Sequence, residues 1–254
     1  MINITDYPSL VFVISLVLQW GSARIGAVLA KRRGNMDSDS HEDFGVVQAA
    51  TLTLLALIIG FSFSMATSRY DLRKSYEENE ANAIGTEYVR ADLLPPAQAA
   101  AVRALLARYT DLRIHFYQTR DAQQLQQINL TTAQMQNDLW AAVRTSAAQQ
   151  PTPVMALAVS GMNDVLNTQG YTQAEWWNRL PLAAWTLMLL MAVCSNMLVG
   201  YGVRSNNGRK LLVVLPLVVS IAFMLIADID SPRGGVIRVK PQNLIAFAQS
   251  LPPH

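Results

Sequence analysis

The chain has 254 residues and a net charge of +2, with 51% hydrophobic and 15% charged residues. Soluble domains carry about 25% charged residues, so the balance points to a membrane protein, and the near-neutral charge excludes the basic field of a nucleic-acid binder. A single cysteine, Cys194, excludes an intrachain disulfide, and three scattered histidines, His41, His115 and His254, offer no zinc-ligand spacing.

The N-terminus has no basic residues before its first apolar run, and Lys31, Arg32 and Arg33 come after it. That order predicts a retained anchor rather than a cleaved signal peptide. A helix needs about 20 apolar residues to cross a bilayer, and four stretches meet or approach that. The first, 8–30, carries Arg24 near one end, able to snorkel to the interface. The loop after it holds Asp37, Asp39, Glu42 and Asp43, but without the glycine and glutamate spacing of an EF-hand, so helix capping by Ser40 or Asp43 is the expectation, not metal. The second span is 46–66. The third, 180–202, follows Trp176 and Trp177 and contains Trp185, read as an interfacial belt. The fourth, 211–227, is short, and Pro216 is expected to kink it.

Between the second and third spans lies a different composition, rich in Ala, Gln, Leu, Arg and Glu. Val102, Leu105, Leu106, Tyr109, Leu112 and Phe116 recur at helical spacing. Proline pairs at 95–96 and 151–153 divide the segment, predicting helices at about 67–94, 97–119, 121–149 and 154–178. The fold class is therefore all-α: a four-span transmembrane helix bundle with a helical domain inserted between the second and third spans. The domains are 1–66 (spans one and two), 67–179 (helical extramembrane domain), 180–230 (spans three and four) and 231–254 (a C-terminal tail with a short amphipathic helix, with Leu244, Ile245 and Phe247 on one side).

No strong breaker follows Gly60 until the prolines. Residues 46–94 are predicted to form one helix, roughly 70 Å long at 1.5 Å per residue. It would leave the membrane unbroken as a rigid rod, able to carry displacement into the soluble bundle. Arg73 with Glu77, and Lys74 with Glu78, sit at pairing distance along it. The location is a cell (inner) membrane. Short-loop charges, Lys31 to Arg33 and Arg204, Arg209 and Lys210, place the inserted domain on the extracytoplasmic side. Arg69, Arg73, Lys74 and Arg179, on the domain's side, oppose that count.

At 100° per residue, Thr53, Gly60, Ser64, Thr67 and Asp71 fall on one stripe of the second span, continued by Glu78 and Asn82 and flanked by Phe61 and Phe63. Two readings stand. The stripe packs helices, since Gly60 and Ser64 form a small-xxx-small pair, or it lines a pore with phenylalanine rings at a constriction. The packing reading ranks first. Glu77, Glu78 and Glu80 read as a solvated face. Asp228 and Asp230 close the fourth span at a helix C-terminus, where the dipole disfavours anions. Arg69, Arg179 and Arg233 are the available partners, so an ion pair at the membrane surface is expected. Cys194, Ser195 and Asn196 offer hydrogen bonds between helices. No catalytic motif, P-loop or dinucleotide fingerprint is present, and the chain is not read as an enzyme; no cofactor is implied.

Phe61-Ser62-Phe63-Ser64, Arg69, Glu80-Ala81-Asn82-Ala83, Arg90, and Asp228-x-Asp230-x-Pro232-x-x-Gly235, taken together over about 43–240, resemble a bacterial bestrophin-like domain family of unknown function. The resemblance implies a distant relation to bestrophins, pentameric anion channels whose second helix lines the pore with hydrophobic residues at its neck. Gly60-Phe61 followed by Arg69-Tyr70 is loosely similar to that helix. A long C-terminal tail and a calcium clasp are not seen, so calcium gating is not implied. Bestrophins keep the inserted domain in the cytosol, opposite to the short-loop count.

Two functions follow. One is a homo-oligomeric channel-like protein in the lipid bilayer, passing inorganic anions, with the second span on its axis. The other is a non-conducting oligomeric scaffold or stress sensor whose helical domain binds a partner.

Overall fold

The computed structural model describes residues 4–33, 38–203 and 206–252, which are helical without a strand. The helices are α1 (Pro8–Arg33), α2 (Ser38–Arg90), α3 (Pro96–Gln118), α4 (Ala122–Gln149), α5 (Pro153–Trp177), α6 (Leu182–Gly202), α7 (Asn206–Leu211), α8 (Val214–Asp230) and α9 (Gln242–Ser250). Of the residues weighed above, Asp37, Arg204 and His254 lie outside the described set. Four stretches are long and apolar enough to cross a membrane by length and composition: Pro8–Arg32, Glu42–Leu93, Pro153–Gly202 and Gly208–Asp230.

Local chemistry sets the boundaries. Pro96 opens α3 and Pro153 opens α5, at the helix start where a missing N–H costs nothing. Asp121 caps α4 by accepting from the Gln124 amide at 2.8 Å, and Thr152 caps α5 by accepting from the Met155 amide at 3.1 Å. α2 is 53 residues long and helical throughout 65–75.

The fourth span is interrupted at 212–213, between α7 and α8, four and three residues before Pro216, where the missing N–H and the ring break the helical ladder as expected. Two local expectations are corrected. Ser40 and Asp43 lie inside α2, which begins at Ser38, so neither caps it. Trp176 is 5% exposed and packs with Phe116 and Tyr117, so it is a core ring and not part of a belt.

The chain divides into two compact units, 1–69 with 179–238, and 70–178 with 239–254. In the first, α1 packs along both α6 and α8. At the α1–α6 crossing the backbones nearly touch: a Cβ on Gly200 would lie 1.9 Å from the Ala23 carbonyl oxygen, and one on Gly26 2.0 Å from that of Met197. Small residues allow that approach, which supplies packing where no hydrophobic effect drives helices together. Polar side chains join the same bundle. Asn196 donates to Gln19 Oε1 at 3.1 Å, and Gln19 donates to Ser220 at 3.3 Å, all three fully buried.

In the second unit α3 packs on α4, α4 on α5, and α9 on α3. Its core holds Val102, Leu106, Phe116, Leu139, Val143 and Met162. Val102, Leu106, Tyr109 and Phe116, picked from their spacing, are buried, and Leu105 and Leu112 are half-buried. Leu244 of α9 is fully buried and Phe247 packs edge-on to Tyr88.

Candidate pore-lining face

The two sides of α2 differ sharply. Leu55, Ser62, Ala66, Arg73, Glu77, Glu80, Ile84 and Glu87 are buried and follow one another at helical spacing along one side. The stripe of Thr53, Gly60, Ser64, Thr67 and Asp71 is centred about 160° around the helix from that line at 3.6 residues per turn. Thr53, Gly60, Ser64 and Asp71 are exposed, Thr67 is half-buried, and Glu78 and Asn82 continue the exposed line. A Cβ on Gly60 would meet nothing within 4 Å. The small-xxx-small pair therefore makes no close contact with the described residues of this chain; the close crossing is at Gly26 and Gly200.

The flanks of the stripe are apolar. Phe61 is 65% exposed and Phe63 40%. Gly60 and Phe63 border a groove of about 440 Å³ between α2 and α8, walled by Leu52, Ile59, Val218 and Leu225 among others. Only 6% of the apolar window of the α2 stretch is buried, against 39% for α1. The stripe's threonines donate inward along their own helix, Thr53 to the Ala49 carbonyl at 2.9 Å and Thr67 to that of Phe63 at 3.0 Å. Each hydroxyl thereby uses its one proton within its own helix and can only accept from another partner.

The buried line of α2 holds groups that a search for apolar periodicity passes over. Glu80, read above as solvated, is fully buried; Arg113 pairs with it, and Tyr117 and Thr172 donate to it at 3.1 and 3.3 Å. Burial is the largest influence on the Arg113 guanidinium and works against its charge, but the Glu80 carboxylate together with Tyr109 and Tyr117 outweighs it and the group is held charged. The same burial pushes the Tyr109 and Tyr117 phenols up. Glu77, also expected in solvent, is 1% exposed and caps α9, accepting from the Asn243 and Leu244 amides at 3.0 Å each and from the Asn243 side chain at 2.7 Å. Of the three glutamates only Glu78 is exposed. Arg73 donates to the Asn178 carbonyl at 3.3 Å.

The aspartates that close α8 hold backbone. Asp228 accepts from the Val236 and Ile237 amides at 2.8 Å each, so the chain after the helix wraps around its carboxylate. Gly235 makes room: a Cβ there would lie 2.6 Å from Asp228 Oδ1. Asp230 accepts from the Leu180 amide at 3.0 Å, tying the entry of α6 to the exit of α8. Arg179 pairs with Asp6, which also accepts from Ser231 at 3.0 Å. Asp6 was missed because it precedes the first span, where nothing in its neighbours marks it. Arg69 and Arg233 are half-buried and partnered. Among the described residues no cluster of three His, Cys, Asp or Glu side chains is placed to hold a metal.

The fold has solved counterparts. A crystal structure of a bacterial bestrophin homologue from Klebsiella pneumoniae matches with a TM-score of 0.66 at 13% identity, over 94% of this chain and 99% of that one. A single-site variant of the Klebsiella pneumoniae homologue matches at 0.66 and 11% identity, over 94% and 96%. A structure described as a membrane protein matches at 0.62 and 12% identity, over 94% and 99%. At such identities the likeness is one of fold. No curated protein sequence matches the chain. The model of the bestrophin-like domain covers residues 13–244, nearly the whole chain. With its apolar helices and this fold, the protein is a membrane protein that belongs to the bestrophin-like domain family.

Proposed function

We propose that the protein is an ion-conducting homo-oligomer of the cell membrane, with the Thr53–Gly60–Ser64–Thr67–Asp71 stripe of α2 lining the pore and Phe61 and Phe63 beside its narrow part. The observation that carries this reading is the placement of the stripe. It lies opposite the side of α2 that the chain buries, and it is lined by small and polar groups. A face turned to lipid would carry large apolar side chains throughout, as Val47 and Leu54 do on the adjoining quadrant, whereas on the stripe only its edge at Leu57 does. A ring of copies around an aqueous axis satisfies it. In this reading 67–179 forms the helical domain inserted between the spans, and the half-buried residues Arg69, Arg179 and Arg233 mark the membrane surface with Asp228 and Asp230.

The family resemblance suggests anions. The stripe supports the opposite sign: it bears the exposed carboxylates Asp71 and Glu78 and threonines whose protons are used within the helix, and acidic rings favour cations. Purified protein in liposomes under a potassium chloride gradient tests both points. The expectation is flux with a reversal potential on the cation side, moved toward zero by Asp71→Asn and flux blocked by Ser64→Leu. Absence of flux in any salt gradient would leave the scaffold reading in its place.

A further inference from the structure

One buried acid is used by nothing described above. Glu87, in α2 well beyond the span read at 46–66, is fully buried, and among the described residues neither carboxyl oxygen has a hydrogen-bond partner. It lies against Gly161 of α5, where a Cβ would fall 2.1 Å from Glu87 Oε2 and 2.6 Å from Arg90 Nη1. Arg90 itself donates to the Leu157 carbonyl at 3.4 Å. Around Gly161 the contact between α2 and α5 thus runs past a buried carboxyl that only a glycine leaves room for. A carboxylate with no donor in such a place is costly, whereas the neutral acid is tolerated.

We propose that Glu87 is a proton-operated latch between α2 and α5: protonated, it keeps the two helices closed over Gly161, and when its proton leaves to solvent the carboxylate opens that contact to reach water. The charged groups acting on it are Arg90 from its own helix and Asp164 from α5, while Asp92 and Arg103, on the neighbouring turn and on α3, are paired with each other. Burial first, opposed by Arg90 and aided by Asp164, raises the Glu87 carboxyl to about 8, so the latch works in the range cells visit. This inference concerns the second unit by itself and does not depend on conduction.

Hydrogen exchange on the full chain in lipid nanodiscs tests it. After correction for intrinsic rates, amides of α5 around Gly161 should open more often as pH rises, by up to ~tenfold per pH unit, and level off near the pH at which the buried acid is ionised. Glu87→Gln should abolish the dependence, and Asp164→Asn should move the plateau to lower pH. Infrared difference spectra of the wild type should show a protonated carboxyl band, absent from Glu87→Gln, that disappears across the same range. A pH-independent α5, a pH response retained in Glu87→Gln, or no such band in neutral solution would each overturn the proposal.

Discussion

The Glu80–Arg113 pair shows how a residue's surroundings set the cost of changing it. Both groups are fully buried, and Tyr117 and Thr172 complete the carboxylate's shell. Removing one partner strands the other charge, so Arg113→Leu should destabilise by ~3–5 kcal/mol, while a joint apolar replacement of both should cost much less. Chemical denaturation of the two variants side by side checks this. Gly200 faces backbone, which cannot yield as a side chain can. Gly200→Ala should therefore push α1 from α6, lowering the melting temperature of the folded protein in detergent more than Gly60→Ala, which has open space. Glu87 gives stability a pH slope. Below about 4.5 the acid is protonated in folded and unfolded chain alike; from there to about 8 only the folded chain keeps the proton, so stability falls as pH rises through that window. Denaturation midpoints at acid and alkaline pH should converge in Glu87→Gln.

Two stretches show how an element combines local and distant information. α2 can run 53 residues because its sequence holds no proline and its polar half still buries a line of charges. Its continuity was legible in advance; the role of that line was not, because Arg73, Glu77, Glu80 and Glu87 look like solvent residues until their partners on other helices are known. Ser68→Pro, in the middle of α2, should cost ~3 kcal/mol or more and reduce helicity measured by circular dichroism. α9 is held the same way. Its first amides have a single buried acceptor in Glu77, so Glu77→Leu should release the C-terminal helix and raise proteolysis after Lys240, with α3 to α5 still folded.

For the whole molecule, the open stripe on α2 makes assembly the central question. The chain itself covers only 6% of the apolar window of α2, which leaves that face to lipid or to a second copy. Native mass spectrometry in detergent should find a ring-sized oligomer, whereas a monomer would remove the pore reading and with it the effects expected of Ser64→Leu and Asp71→Asn. The wrapped carboxylate of Asp228 and the tie from Asp230 to Leu180 account for the acidic pair and glycine in the motif that carried the family resemblance.

The sequence by itself determined the all-helical class, the apolar spans, the unbroken α2 and the residues of its polar stripe, because periodicity and breakers act within one helix and need no partner. The tertiary structure alone decided which side of α2 is covered, where glycines let helices touch, and why acids at Glu77, Glu80 and Glu87 are buried. Those outcomes depend on which distant donors arrive, and a local pattern cannot distinguish a carboxylate that meets an arginine from one that meets water.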